Sequence, residues 1–257
     1  MEEKELKELQ YLSDLIGEIK YKEFPSLQVA EGKYIKGIIS PKKHRDNSSK
    51  LFEMQTVFDT IVDIDMKIKY SFQNSMEFAY SKEIIDNFNP MIEVTIPERT
   101  AYYFIENAIF RVSTLWDLLA QLYNLQYDVG MKPKEIQYNK FFKGHPCIKG
   151  RRKKTILHNL SKIEKELLPI KNYLKQDDNI NLEDLWEGNH KYLNEIRNQM
   201  THRNGLSVVS YSNFDLNLKS HPQFMLKRII EDYYIVSKFI LSILDTALND
   251  LNKDDAL

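Results

Sequence analysis

Residues 195–205 read EIRNQMTHRNG, and within them the types and spacing of Arg197, Asn198 and His202 suit phosphate chemistry. Histidine titrates near neutral pH and can act as base and then as acid in one cycle. Arginine carries a permanent forked charge that fits phosphate oxygens, and asparagine can orient a ring or a substrate. Together they match metal-free cleavage of RNA. A base takes the 2′-hydroxyl proton, the freed oxygen attacks the neighbouring phosphate, and a cation stabilises the charge that builds up. DNA lacks that hydroxyl, so a site of this kind selects RNA and calls for no metal and no cofactor.

The three residues need a helix to place them. At about 100° per residue, a helix that turns Leu193, Ile196 and Met200 inward leaves Arg197 on the rim of the apolar stripe. Asn198 and His202, four apart, then stack on the outward face. Such a group is completed by another helix, a ligand or a second copy, and a two-fold dimer brings two identical patches together.

Other constellations carry less. Gly144 to Lys154 (GHPCIKGRRKK) has the wrong glycine gap for a phosphate loop, and no Gly-Lys-Ser/Thr follows. Glu187-x-x-His190 has the helix spacing of di-iron bundles, but the chain has no second copy of it. Cys147, two residues from His145, is the single cysteine; it reads as inert and excludes an internal disulfide. Met131 to Lys154 holds nine Lys or Arg against the single acid Glu135, with Tyr138, Phe141 and Phe142 interleaved. That run is either a solvated loop and helix start, or a surface offering phosphate contacts and rings for base stacking.

The elements around these residues read as helices. With eight Gly and eight Pro in 257 residues and 42% hydrophobic content, long uninterrupted stretches and an ordinary core are expected, in the all-α class. The pattern predicts an antiparallel helical bundle of long helices, with minor short strands or a hairpin. Glu3 to Lys20 repeats leucine and isoleucine at three and four; Val29 to Ile39 could form a hairpin; Pro41 and KKHRDNSS mark a boundary. Residues 1–48 are thus an N-terminal extension, 49–252 the bundle and 253–257 a tail.

Within the bundle, helices are expected from about Ser49, from Pro97 to about Tyr127, and over the seam Ile156, Leu160, Ile163, Leu167, Ile170 and Leu174. Another, capped by Asn181 and carrying Trp186, runs to Gly205, which suits the left-handed position after a helix end. A last helix opens at Ser220 and Pro222. Ile92 to Ile96 (IEVTI) and LSVVSYS are expected to be short strands at most. A charged start without an apolar run gives no secretory signal, and no stretch approaches the roughly 20 apolar residues that cross a bilayer, so a cytoplasmic protein without a membrane partner is expected. The net charge of −1 gives no global attraction to nucleic acid.

With Arg197, Asn198 and His202 placed before the last long helix, the chain resembles the HEPN superfamily (higher eukaryotes and prokaryotes nucleotide-binding) from about Ser49 to Asn252. A looser Arg-to-His spacing at Arg152 and His158 lacks that context, since Leu157 belongs to an apolar seam. The resemblance implies a helical bundle, often a homodimeric, metal-independent endoribonuclease of toxin or defence systems, with Arg and His from both subunits in one cleft. It equally covers modules that bind RNA or nucleotide without cutting and domains that only assemble, with an antitoxin or a nucleotidyltransferase as candidate partner. It also directs attention to an acidic residue facing the site. Glu106, Ser113 and Asp117 form a polar stripe that is either simply solvated, or lets Glu106 or Asp117 hold Arg197 or tune His202. The basic residues Lys149, Arg151, Arg152, Lys153 and Lys154 are the expected RNA contacts.

Overall fold

The computed structural model describes residues 3–22, 47–146, 148, 150, 152–180, 185–202, 205–207, 210–212 and 215–254. It is all-α, a helical bundle with one minor pair of strands. The helices are α1 (Glu3–Glu18), α2 (Asn47–Ala79), α3 (Lys82–Asn87), α4 (Ile96–Gln126), α5 (Tyr138–Phe142), α6 (Arg152–Lys162), α7 (Glu164–Tyr173), α8 (Asn189–His202) and α9 (Pro222–Asp254). Strands β1 (Ser210–Ser212) and β2 (Asp215–Asn217) pair antiparallel, with Tyr211 opposite Leu216. The expected hairpin at Val29–Ile39, Cys147, Lys149, Arg151 and the cap at Asn181 lie outside the described residues. Among the described residues no helix is long and apolar enough to cross a membrane.

Two compact units are discontinuous along the chain. The first joins Met1–Ile19, Ile64–Thr114 and Asn172–Val236; the second joins Lys20–Asp63, Leu115–Lys171 and Ser237–Leu257. The first unit includes α1, whose Leu12 is fully buried, so the N-terminal helix is built into that core. Within the first unit, Asp65 pairs with Lys69 at 2.8 Å and accepts the Tyr233 hydroxyl, which satisfies a buried carboxylate.

Two of the predicted apolar stripes are buried almost throughout, whereas Leu6 in that of α1 is exposed. In α4 the buried residues are Ala101, Ile105, Ala108, Val112, Leu115, Leu119 and Leu122. The seam from Ile156 to Leu174 is buried throughout, but it is two helices, since the chain tightens at Ile163, whose N–H reaches Leu160 O at 3.2 Å.

Three local expectations are corrected. Ile92–Ile96 is not a strand. Thr95 and Glu98 form a capping box there, Glu98 N–H donating to Thr95 Oγ1 at 3.3 Å and Thr95 N–H to Glu98 Oε2 at 2.9 Å, with Pro97 in the first turn. Trp186 is not in a helix either. Gly188 takes φ +73°, and the chain before it pairs back on itself through Asn179 and Glu187, so α8 starts only at Asn189. Gly205, in turn, has no positive φ. Its small size matters instead, because a Cβ there would lie 3.3 Å from Glu106 Oε1.

Gly188 is the position where only glycine fits. An added Cβ would stand 2.7 Å from both Asp178 Cα and Asp178 N, in addition to the left-handed backbone. Gly188→Ala is expected to cost at least ~2 kcal/mol. Urea unfolding checks this, and an unchanged midpoint would show that the loop relaxes freely.

Candidate functional site

The helix that carries the candidate residues, α8, lies wholly within the first unit. Leu193 is buried, Ile196, Arg197 and Met200 are half-buried, and Asn198 is exposed. His202 is the last residue of the helix. Among the described residues, the Arg197 guanidinium and the Asn198 side chain have no hydrogen-bond or ion-pair partner. A forked cation and an amide thus stand unpartnered on one turn.

Glu106, on α4, meets the chain just past this turn. Its Oε1 accepts the Leu206 N–H at 3.0 Å, four residues beyond His202. Burial pushes its carboxyl above the usual range, and that hydrogen bond only partly offsets the rise. The expectation that Glu106 or Asp117 would hold Arg197 is therefore corrected. Glu106 is engaged by the backbone after the helix. Asp117 belongs to the second unit, where its Oδ1 takes the Tyr138 N–H at 3.2 Å at the start of α5.

The basic segment is also redistributed. Tyr138, Phe141 and Phe142 are buried and offer no face for stacking bases. Arg152 is tied within the chain, to Glu135 at 3.2 Å and to Gly130 O at 2.8 Å. Lys153 and Lys154 are exposed.

What sets the direction of α8 is a cluster that the sequence reading missed. At the first turn, buried Asn189 donates from Nδ2 to Glu231 Oε2 at 2.8 Å and to Trp186 O at 2.8 Å. Its Oδ1 accepts from Arg228 at 3.2 Å. The next residue, His190, lies with Nδ1 3.3 Å from Asp232 Oδ1, which also accepts the Tyr173 hydroxyl at 2.9 Å. Glu231 further accepts Trp186 N–H at 2.9 Å, the Tyr11 hydroxyl at 3.1 Å, and a close ion pair from Lys227. Arg228, fully buried, reaches Asp178 at 2.6 Å and lies 4.5 Å from the Tyr192 ring centre and 4.8 Å from that of Phe224.

The consequence for the site is rotational. Asn189 and Asn198 are nine residues apart, about half a turn around the helix, so pinning the first inward turns the second outward. His190 and Arg197, seven apart, fall within about 20° of one another. The signal that could have revealed the cluster is on α9. Arg228 and Asp232 continue the stripe of Met225, Ile229 and Val236, so charged groups occupy an inward face where only paired ones survive. Glu187-x-x-His190, dismissed above as a metal site, is divided between this cluster and an Asn179 contact at 3.3 Å.

Asp232→Ala leaves Tyr173 and His190 facing a void and is expected to cost about 3–5 kcal/mol, whereas Asp232→Asn keeps an acceptor and costs much less. Chemical unfolding of both variants checks the contrast; equal losses would refute it. Glu106 adds a pH dependence. Its raised folded pKa contributes stability that is complete below the ordinary carboxylate value and is lost as pH rises through the folded one. Glu106→Gln keeps the acceptor for Leu206, so it should gain on the wild type between acid and neutral pH; parallel stability curves would contradict this.

Comparison with protein-family models, with curated proteins and with solved structures finds no match to this chain.

Proposed function

We propose that the protein is a metal-independent endoribonuclease of HEPN type. The single observation that carries this reading is Arg197, whose guanidinium has no partner among the described residues, beside exposed Asn198 on the last turns of a helix whose first turn is held by buried polar contacts. In this reading His202 removes the 2′-hydroxyl proton and the oxygen attacks the adjacent phosphorus. The 5′-oxygen leaves with a proton, giving a 2′,3′-cyclic phosphate and a 5′-hydroxyl. Arg197 holds the charge on the non-bridging oxygens and Asn198 orients the ring or the phosphate.

A second copy completes the cleft and supplies the acid that protonates the leaving oxygen. Ile96, Tyr103 and Phe110, seven apart on α4 and exposed, support self-association, because apolar groups in helical register are costly to leave in water. With the aromatic rings of the basic segment buried, affinity for RNA rests on phosphate contacts rather than base stacking. Placement in the cytoplasm and in a toxin or defence system, with an antitoxin or nucleotidyltransferase partner, belongs to the same proposal.

The test is cleavage of mixed RNAs in the presence of a chelator. Wild-type protein should cut RNA and spare DNA, and His202→Ala should lower the rate on the order of a hundredfold. RNA binding that Arg197→Ala weakens, without any product, would replace the enzyme by a non-catalytic binding module. Neither cutting nor binding would leave a helical partner-binding protein.

A further inference from the structure

The basic segment has no part in the reaction above, yet it builds one side of a second site. In the second unit, the turn after α5, together with α6 and α7, bounds a cavity of about 270 Å³. Gly144, at φ +72°, reverses the chain after α5; Gly144 N–H reaches Phe141 O at 3.0 Å and His145 N–H reaches Lys140 O at 2.9 Å. That turn sets Lys143 and His145 at the rim, above a floor of Phe142, Leu160 and Leu167. Lys171, on α7, lines the same cavity.

The charges at this rim are unevenly matched. Lys143 is exposed and has no ion-pair partner among the described residues. Lys171, more enclosed, meets Glu164 only at 4.0 Å, the outer limit of an ion pair, and the Glu164 side chain is 72% exposed. Two lysines and a histidine thus line one cavity floored by apolar carbon, with the loosely held Glu164 carboxylate in the same lining. The volume lies near the lower end of small-molecule sites, roughly 300–1,000 Å³, which suits one ring or a short chain rather than a polymer.

We propose that this cavity binds a small phosphate monoester with a compact apolar body. The body occupies the floor of Phe142, Leu160 and Leu167. Lys143 and Lys171 take the phosphate oxygens as separate point charges, each with several donors for a dianion. Binding exchanges the Glu164 contact of Lys171 for the phosphate. The site is independent of the ribonuclease reading and stands or falls without it.

Phenyl phosphate is the probe, titrated calorimetrically into the full-length protein, with inorganic phosphate as the second arm. Saturable binding that weakens with added salt is expected, and inorganic phosphate, lacking the apolar body, should bind at least about tenfold more weakly. Lys171→Glu should weaken phenyl phosphate by at least about tenfold, and Lys143→Glu, at an exposed position that leaves folding intact, should act in the same direction. Glu164→Gln should bind more tightly, a gain that loss of a merely structural ion pair would not produce. No saturable binding, equal affinity in Lys171→Glu, or no gain in Glu164→Gln overturns the proposal.

Discussion

The first unit depends on how Glu231 and Asp232 of α9 engage Asn189 and His190 of α8. Two adjacent carboxylates, both almost fully buried, meet two adjacent polar residues at the first turn of the neighbouring helix. Each carboxylate would be costly alone in such surroundings, so each collects donors. Glu231 has Trp186 N–H, Asn189, Tyr11 and Lys227; Asp232 has His190 and Tyr173. The α1 helix, the loop before α8 and the end of α7 are thereby tied to the same two residues of α9.

A cluster of this kind does not stabilise a fold in proportion to its number of contacts, because removing two carboxylates and their polar partners from water offsets most of the attraction. Its effect is on specificity. An apolar stripe tolerates small rotations of a helix, since one methyl group substitutes for another. A donor aligned with one acceptor does not. The hydrogen bonds that fix α8 lie at its first turn, whereas the Arg197 and Asn198 side chains further along it have no partner among the described residues.

Much of the fold was legible along the chain because helix formation here follows apolar spacing. The stripe from Ala101 to Leu122 and the seam from Ile156 to Leu174 are buried as their periods require. Misreadings arose where polar side chains outweighed that pattern. Ile92–Ile96 alternates like a strand, but Thr95 and Glu98 satisfy each other's backbone donors and start a helix instead. Tyr138, Phe141 and Phe142 sit among lysines like a nucleic-acid surface, yet their rings face the core and the lysines face water, the ordinary division of an amphipathic segment. Gly205 looked like a left-handed helix end, and its role turned out to be room for Glu106.

What the sequence alone determined is local. Helix geometry makes residues three and four apart neighbours, so the stripes, the helical class and the grouping of Arg197, Asn198 and His202 on two turns follow from spacing. What only the tertiary structure decided is the set of distant partners. Asn189 meets Glu231 across 42 residues and Leu206 meets Glu106 across 100, while Asp117, equally suited on paper, caps α5 in the other unit. No spacing rule selects among carboxylates so far apart along the chain. Their choice is made by which faces pack together, and by the cost of burying any charge that finds no partner when they do.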